Sequence, residues 1–287
     1  MPSAFWAAGT KRRRALWNRG TKIAAFAALF VIAAGGVVAL AAWQTIGEIE
    51  AALPPLPAPS AIPTSTIVVD RDGKLLRPFT IADGRWRLPV AKSDVDPHYL
   101  AMLVAYEDKN FATHDGIDFI AVARAALQFA FAGGHIVSGA STLTMQVARL
   151  IDNGDTRSVR GKLRQMAIAR KLEANFSKDQ ILDLYLTLAP YGGNIEGVRA
   201  ASLAYLGKEP TRLTTAEAAL LVAIPQSPEA RRPDHDADAA KAARDRVLDR
   251  LASAGAIDAD SADAAKTERV PNARQPFPML APHLAEQ

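Results

Sequence analysis

The chain has 287 residues, of which 49% are hydrophobic and 22% are charged, and it contains no cysteine. These values exclude an intrinsically disordered chain, a fibrous repeat and a disulfide-stabilised scaffold. The net charge of +4 arises at the N-terminus, because residues 1–47 carry six lysines and arginines and no acid, which leaves the remainder at −2. A nucleic-acid-binding domain needs its cations on a folded surface, and this distribution argues against one.

Residues 23–43 form an uncharged apolar run of 21 residues directly after the basic cluster. A helix of that length spans roughly 30 Å, the thickness of the hydrocarbon core of a bilayer. Because the cations lie only on its N-terminal side, we expect a single-pass anchor in the cytoplasmic membrane, with a cytoplasmic tail over 1–22 and an exported remainder. Two alternatives are a signal peptide cleaved near residues 39–41, for which the run is long, and a buried core helix.

The next segments predict a linker and a small β element. Five prolines between Pro54 and Pro63 predict an extended, semi-rigid linker over 44–64. Two β-rich runs around Asp72-Gly73 predict a hairpin within 65–79. Beyond residue 95 the pattern is helical almost throughout, so we expect one mainly α-helical domain over 65–285 with this hairpin at its entrance.

The first three helices of this domain are predicted from their start and stop signals. Asp96, followed by a proline, opens a helix that runs to about Glu107. Asp118 opens a second helix that ends at the glycines of 133–134, and Ser141 can cap a third.

The later helices are predicted in the same way. A long helix is expected over 158–176, and Ser177 begins a capping box for the next one. Thr214 repeats that device before an apolar helix that stops at Pro225. A last amphipathic helix is expected over 236–255.

The first candidate for chemistry is the helix end at Glu107, which is followed by Asp108, Phe111 and His114. A carboxyl group at the end of an apolar helix is partly desolvated, and desolvation raises carboxyl pKa values into the range of a general base. Two alternatives stay open. One is a solvated helix end with a capping aspartate, and the other is a metal site whose spacing matches no standard ligand set.

Two further segments are candidates for binding an anion. In residues 138–149, small residues precede a hydroxyl-rich helix start that favours an anion, and Thr142, Gln146 and Arg149 share one helix face. Residues 157–171 carry six cations and no acid. An ordinary capped helix and a solvated basic face are the alternatives, but a cation cluster in a net-acidic body favours a polyphosphate site.

Taken in this order, these segments resemble the family-51 peptidoglycan glycosyltransferases, the polymerase module of class A penicillin-binding proteins, and most closely the 1C type. The resemblance covers roughly residues 65–285, including blocks at 200–208 and 213–228. The motif E-D-x-x-F-x-x-H-x-G is met by Glu107, Asp108, Phe111, His114 and Gly116. The motif G-x-S-T-x-T-x-Q is met by Gly139, Ser141, Thr142, Thr144 and Gln146. The motif S-K-x-x-I-L-x-x-Y-L is met by Ser177, Lys178, Ile181, Leu182, Tyr185 and Leu186.

The resemblance implies a lysozyme-like helical domain on the outer face of the membrane that polymerises lipid II into β-1,4 glycan strands and releases undecaprenyl pyrophosphate. Its partners would be lipid II, the growing strand, the inner membrane and other cell-wall synthesis proteins, without nucleic acid. Glu107 matches the catalytic base, and Lys162 and Arg149 match basic positions around the pyrophosphate. The remaining implied substrate-binding residues are Asp108, Phe111, His114, Ser141, Thr142 and Gln146.

One departure from the family pattern concerns metal. The family has a second carboxylate where this chain has Gln165, and an arginine where it has Gly161. Gln165 can still hydrogen-bond the donor substrate, but an amide does not hold Mg²⁺ or Mn²⁺ by charge. We therefore expect Arg164 or Arg160 to supply charge in its place, and a divalent cofactor is in doubt.

The chain carries no Ser-x-x-Lys or Lys-Thr-Gly signature, so we expect no penicillin-reactive site. Two other functions fit parts of the pattern. Lysozyme-like folds with one glutamate also include lytic glycan-cleaving enzymes, and Gln165 is compatible with a non-catalytic scaffold of the cell-wall machinery.

Overall fold

The computed structural model describes residues 26, 29–30, 33–131, 141–152 and 158–280, and the chain divides into two compact units, Met1–Ala52 and Leu53–Gln287. In the first unit, residues 33–52 form helix α1. Within the described part of the chain, no helix combines the length and the apolar composition needed to cross a bilayer. Part of the predicted anchor, 23–43, lies outside the described residues.

The predicted linker begins later than expected. Residues 44–52 continue α1 instead of extending, because the first helix-breaking proline is Pro54. A 3-10 turn at Pro59–Ala61 then interrupts the extended chain.

The predicted hairpin is confirmed. Strands β1 (Ile67–Val69) and β2 (Leu75–Pro78) pair antiparallel. The turn between them is held by Asp70, whose Oδ1 accepts two backbone N–H groups, and Gly73 supplies its positive φ of 81°.

A second, parallel pair of strands joins β3 (Trp86–Arg87) to β4 (Ile195–Glu196) and was not predicted. Strands of two residues carry no alternation that a sequence pattern can reveal. They are tied by side chains, because Arg87 Nε donates to Glu196 Oε2 at 2.8 Å.

The prediction of a mainly helical body is confirmed. Its helices are α2 (Pro97–Glu107), α3 (Phe119–Phe131), α4 (Leu143–Asp152), α5 (Val159–Asn175), α6 (Lys178–Leu188), α7 (Val198–Ala201), α8 (Thr215–Ala223), α9 (Ala237–Ser253) and α10 (Ala259–Thr267). Helix α7 continues into a π turn, and α8 continues past the predicted stop into a 3-10 turn over Ile224–Gln226. The predicted end of α3 at 133–134 lies outside the described residues.

Most of the predicted N-terminal helix caps are confirmed. Asp96 accepts from the backbone N–H of His98, and Ser177 and Thr214 form capping boxes. The prediction for α4 was wrong by one residue, since Thr142 Oγ1 accepts from the N–H of Met145 at 3.0 Å.

Helices α7 and α10 were not predicted. Helix α7 has only four residues, which is little more than one helical turn. Helix α10 buries only two alanines, Ala262 and Ala265, and so lacks the apolar stripe that reveals a helix in sequence.

The core is built around α8, which is apolar and buried over most of its circumference. It packs against α2, α9 and α10, while α4 packs against α5 and α6. This packing brings the C-terminal end of α2, the first turns of α4 and the 3-10 turn after α8 to one place.

Candidate active site

The carboxylate of Glu107 is held by two side-chain amides from different elements. It stands half-buried at the last residue of α2. Gln146 Nε2 on α4 donates to Oε2 at 2.9 Å, and Gln226 Nε2 in the 3-10 turn donates to Oε1 at 2.8 Å. Each oxygen keeps a lone pair beyond its hydrogen bond, so the carboxylate is oriented and still able to accept a proton.

Asp108 turns away from Glu107 and joins the loop after α2 to the start of α4. Its buried Oδ2 accepts from His114 Nε2 and from the backbone N–H of Leu143, both at 2.9 Å. His114 Nδ1 accepts from the N–H of Gly116 at 3.1 Å, so the proton lies on Nε2. Both ring nitrogens are used, and these residues are not brought together as a metal site with Glu107.

Phe111 is also buried and supports the same loop. The ammonium of Lys178 lies 4.8 Å from the centre of its ring. Lys178 Nζ also donates to the carbonyl of His114 and to Glu173 Oε1, the latter at 2.7 Å. Phe111 and His114 therefore pack the loop against the start of α6.

The start of α4 uses its polar groups within the protein. Thr142 is buried, and its hydroxyl donates to the carbonyl of Gly116 at 2.7 Å while capping the helix. The N–H of Leu143 is occupied by Asp108. The free N–H groups that were predicted to bind an anion are therefore already used at two positions, Leu143 and Met145.

Cations reach this region from α5 and α4. Lys162 Nζ donates to Ser141 Oγ at 2.7 Å and to Gln165 Oε1 at 3.0 Å. Burial lowers the pKa of the Lys162 ammonium, and the positive charge of Arg149 lowers it further. Arg149 itself is exposed on α4. The positive charge of Arg149 on α4 therefore acts on Lys162 on α5.

Gln165 and Arg164 are both engaged inside the protein. Gln165 is buried and donates through Nε2 to the carbonyl of Met145 at 2.5 Å, so its amide links α4 to Lys162. Arg164 makes a two-pronged ion pair with Asp152, at 2.8 and 2.7 Å. Both side chains are therefore held by partners within the protein.

A divalent cation does not fit the residues at position 165. The oxygen of Gln165 faces the ammonium of Lys162, whereas Mg²⁺ prefers carboxylate and water oxygens. In the described ranges there is also no group of three His, Cys, Asp or Glu side chains that could hold a metal.

These elements enclose a cleft of about 340 Å³ next to Glu107. Of the predicted residues, Glu107, Asp108, Ser141 and Thr142 line it. The cleft is also lined by residues that were not predicted as site residues, among them Tyr106, Lys109, Asp118, Arg124 and Arg250.

A layer of buried tyrosines lies behind Glu107. The hydroxyls of Tyr99 and Tyr191 are 3.2 Å apart. Burial raises the pKa of Tyr99 and Tyr185, and the negative charge of Glu107 raises both further. Tyr99 and Tyr191 are fully buried, and Tyr185 is 2% exposed.

Three residues of the site are not predicted as site residues from the sequence: Gln226, Arg231 and Arg250. Gln226 lies in the motif block 213–228, which gives it no individual role. Arg231 Nη1 donates to Gln226 Oε1 at 2.9 Å. Arg250 lies 4.6 Å from the ring of Tyr106, beside Glu107. No local signal identifies Gln226 or Arg250, because each acts on a partner far away in the chain. Arg231 acts on Gln226, which is only five residues away, but it has no role in the site unless Gln226 has one.

Comparison with known proteins places the chain in a family. The family model described as Transglycosylase matches residues 72–252. Penicillin-binding protein 1C of Escherichia coli (strain K12) is 43% identical over 269 residues, which cover 94% of this chain and 33% of that protein. Penicillin-binding protein 1A of the same organism is 33% identical over 222 residues, covering 76% and 26%. The crystal structure of penicillin-binding protein 1A from Haemophilus influenzae matches with a TM-score of 0.42 and 20% identity, covering 78% of this chain and 23% of that chain.

The chain belongs to the transglycosylase family, since the family model matches more than half of its residues. This confirms the family predicted from the motifs. The chain spans about a third or less of the length of the curated relatives it matches. Glu107, Ser141 and Lys162 all lie within the matched range.

Proposed function

We propose that the protein is a peptidoglycan glycosyltransferase that polymerises lipid II into β-1,4 glycan strands and releases undecaprenyl pyrophosphate. One observation carries the proposal. The carboxylate of Glu107 is oriented by two amides in a cleft that Ser141 also lines, and Lys162 contacts Ser141. A base in the cleft and a cation one side chain away from it fit a transfer in which a proton is taken up and a diphosphate departs.

In this mechanism Glu107 takes the proton of the acceptor sugar's 4-hydroxyl. The hydroxyl oxygen forms a bond to the anomeric carbon of the donor, and the bond from that carbon to the diphosphate oxygen breaks. The leaving diphosphate is already acidic and needs no proton donor. Lys162 and Arg149 would stabilise its negative charge, and Gln146 would keep Glu107 in place as the proton moves.

Side chains of the protein itself would thus stabilise the negative charge of the leaving diphosphate. Gln165 holds Lys162 toward Ser141, and we propose this positioning as its part in the reaction. Because the side-chain amide of Gln165 does not fit a divalent cation, no step of the reaction is assigned to a metal ion.

We also propose that residues 23–43 anchor the protein in the inner membrane, with 1–22 in the cytoplasm and the lysozyme-like body outside. The uncharged run and its one-sided cations support this, as does the exposure of Val37, Val38 and Leu40 on α1. We expect the full chain to remain in the membrane fraction after an alkaline carbonate wash, and its release into the supernatant would contradict the anchor.

The orientation is tested separately on spheroplasts. Protease added outside them should cut the body of the protein.

The enzymatic proposal is tested on the full chain in detergent with lipid II. We expect the wild type to form long glycan strands on a gel and Glu107→Gln to form almost none. The matched control is Glu229→Gln, which alters a carboxylate that contacts Gly193 and Arg232. Equal polymer from wild type and Glu107→Gln would refute the role of Glu107. Shortening of added strands would indicate a lytic enzyme, and inactivity of both proteins would favour a scaffold.

A further inference from the structure

A chain of hydrogen bonds leads from Arg231 through Gln226 to the carboxylate of Glu107. Arg231 Nη1 donates to Gln226 Oε1 at 2.9 Å and to the carbonyl of Ala223 at 2.8 Å. Because a guanidinium can only donate, its contact identifies the oxygen end of the Gln226 amide. The NH₂ end therefore faces Glu107, at 2.8 Å from Oε1.

We propose that Gln226 and Arg231 are positioning residues for the general base, and this inference rests on the proposed function. Gln226 fixes one oxygen of Glu107, and Arg231 fixes the orientation of Gln226. Gln226 is the last residue of the turn Ile224–Gln226, which continues the buried helix α8. The donor thus directly follows two buried residues of the core, Ile224 and Pro225.

An amide is suited to this task for a physical reason. A cation in direct contact with Glu107 would form an ion pair, which stabilises the carboxylate and weakens it as a base. A neutral amide orients the carboxylate with a weaker effect on its basicity. Arg231 stands one side chain further back, where burial lowers the pKa of its guanidinium.

Other charged and titratable groups also face this carboxylate and its supports. They are Tyr106, Asp108, Lys109, Asp118, Arg124 and Arg250 in the cleft, Arg149 on α4, Arg246 on α9, whose charge acts on Arg231, and Tyr99 and Tyr185 behind the site. Gln226→Leu adds no charge and replaces none of these groups, so its pH profile is compared with that of the wild type to show the effect of the amide.

The test measures kcat, KM and the pH profile of lipid II polymerisation by the full chain in detergent. For Gln226→Leu we expect kcat to fall about tenfold with little change in KM. The acidic limb of the profile should move to higher pH by about one pH unit, because a carboxylate that loses a donor holds its proton more strongly.

Three further variants keep the test decisive if Gln226→Leu folds poorly. Gln226→Glu preserves shape but places a second carboxylate beside Glu107, so the acidic limb should move further in the same direction. Arg231→Gln should show a smaller change of the same sign, and Arg231→Lys should recover much of it because an ammonium can still donate to the amide.

The matched control is Gln180→Leu, which removes an amide that accepts from the N–H of Ser177 at the start of α6. It should lower the thermal midpoint without moving the pH profile. If wild type makes polymer while the Gln226 variants keep its kcat and pH profile, this inference alone fails. A change confined to KM, or an equal change in Gln180→Leu, would also overturn it. Absence of polymer from wild type would instead refute the proposed function.

Discussion

At the scale of single residues, the site keeps its acid and its cations apart. Glu107 is held by amides, whereas Lys162 is held by a hydroxyl and an amide oxygen. Had Glu107 and Lys162 formed an ion pair, neither charge would be free for a substrate. Arg164 shows the contrast, because its pairing with Asp152 makes it a structural contact between α5 and α4.

The first prediction concerns Lys162, whose pKa is lowered by burial and by Arg149. Only its charged form attracts a diphosphate, so affinity for inorganic diphosphate should fall as pH rises, beginning below the ordinary lysine value of 10.5. Arg149→Gln removes the neighbouring positive charge, so the pKa of Lys162 should rise and the loss of diphosphate affinity should move to higher pH. The affinity for diphosphate at neutral pH should be weaker than in the wild type, because one cation is missing.

Calorimetric titration of the detergent-solubilised chain with diphosphate at increasing alkaline pH measures this fall. Lys162→Arg is the control, since an arginine stays charged throughout and should abolish it. An unchanged fall in Lys162→Arg would show that another group is responsible.

The second prediction concerns Gln165 and metal. In Gln165→Glu the N–H donor to the carbonyl of Met145 is lost, and a negative charge is placed beside Lys162. We expect polymerisation to fall several-fold in the presence of a chelator and to recover with Mg²⁺, because the new carboxylate can bind the ion. Wild type should respond much less to Mg²⁺. If the variant gains no metal dependence, position 165 does not determine it.

At the scale of elements, the loop between α2 and α3 couples the site to the body. Its polar groups bond to α4 through Asp108 and Gly116, and Lys178 of α6 holds the carbonyl of His114. Gly116 is the tightest point, with φ +87° and an ideal Cβ position only 2.7 Å from the carbonyl oxygen of Ala169 on α5. The loop can lie this close to α5 only because the residue is glycine.

The third prediction follows from that contact. Gly84 has a similar φ of +81° but nothing within 4 Å of its Cβ position, so Gly84→Ala should cost about 1 kcal/mol through backbone strain alone. Gly116→Ala carries the same strain and adds a backbone clash of about 1–3 kcal/mol. Urea unfolding of both variants measures the difference. Equal losses would show that α5 moves aside at no cost.

At the scale of the whole molecule, the last described segment runs back across the body. The N–H of Gln275 donates to the carbonyl of Ala204 at 2.7 Å. The N–H of Leu280 donates to the carbonyl of Leu76 on β2 at 2.9 Å. Phe277 lies against Trp86, with ring centroids 4.5 Å apart. This segment therefore ties α10 to both small sheets.

The fourth prediction tests that connection. Phe277→Ala removes the ring that packs against Trp86 and, with it, the apolar surface of a half-buried side chain. We therefore expect the free energy of unfolding to fall by about 1–2 kcal/mol. The control is Met279→Ala, because Met279 is 70% exposed and should change stability little. Thermal unfolding in detergent compares the two. A loss in the control as large as in Phe277→Ala would contradict the role of the ring pair.

The sequence by itself determined most of the helices and several of their caps. Asp96, Ser177 and Thr214 cap their helices through residues two or three places along the chain, and the hairpin turn at Gly73 is equally local. Such contacts are set by neighbouring residues and are readable before the chain is folded. The ordered motifs likewise identified the family, and they predict Glu107 as the general base.

Only the tertiary structure decided what surrounds Glu107. Gln226 is 119 residues away in the chain and reaches it because α8 packs on α2. The same holds for Lys162, whose partner became Ser141, and for Arg164, which paired with Asp152. Long-range partners depend on how buried helices pack against one another. A run of cations in sequence contains no information on which of them will find an acid and which will remain free for a ligand.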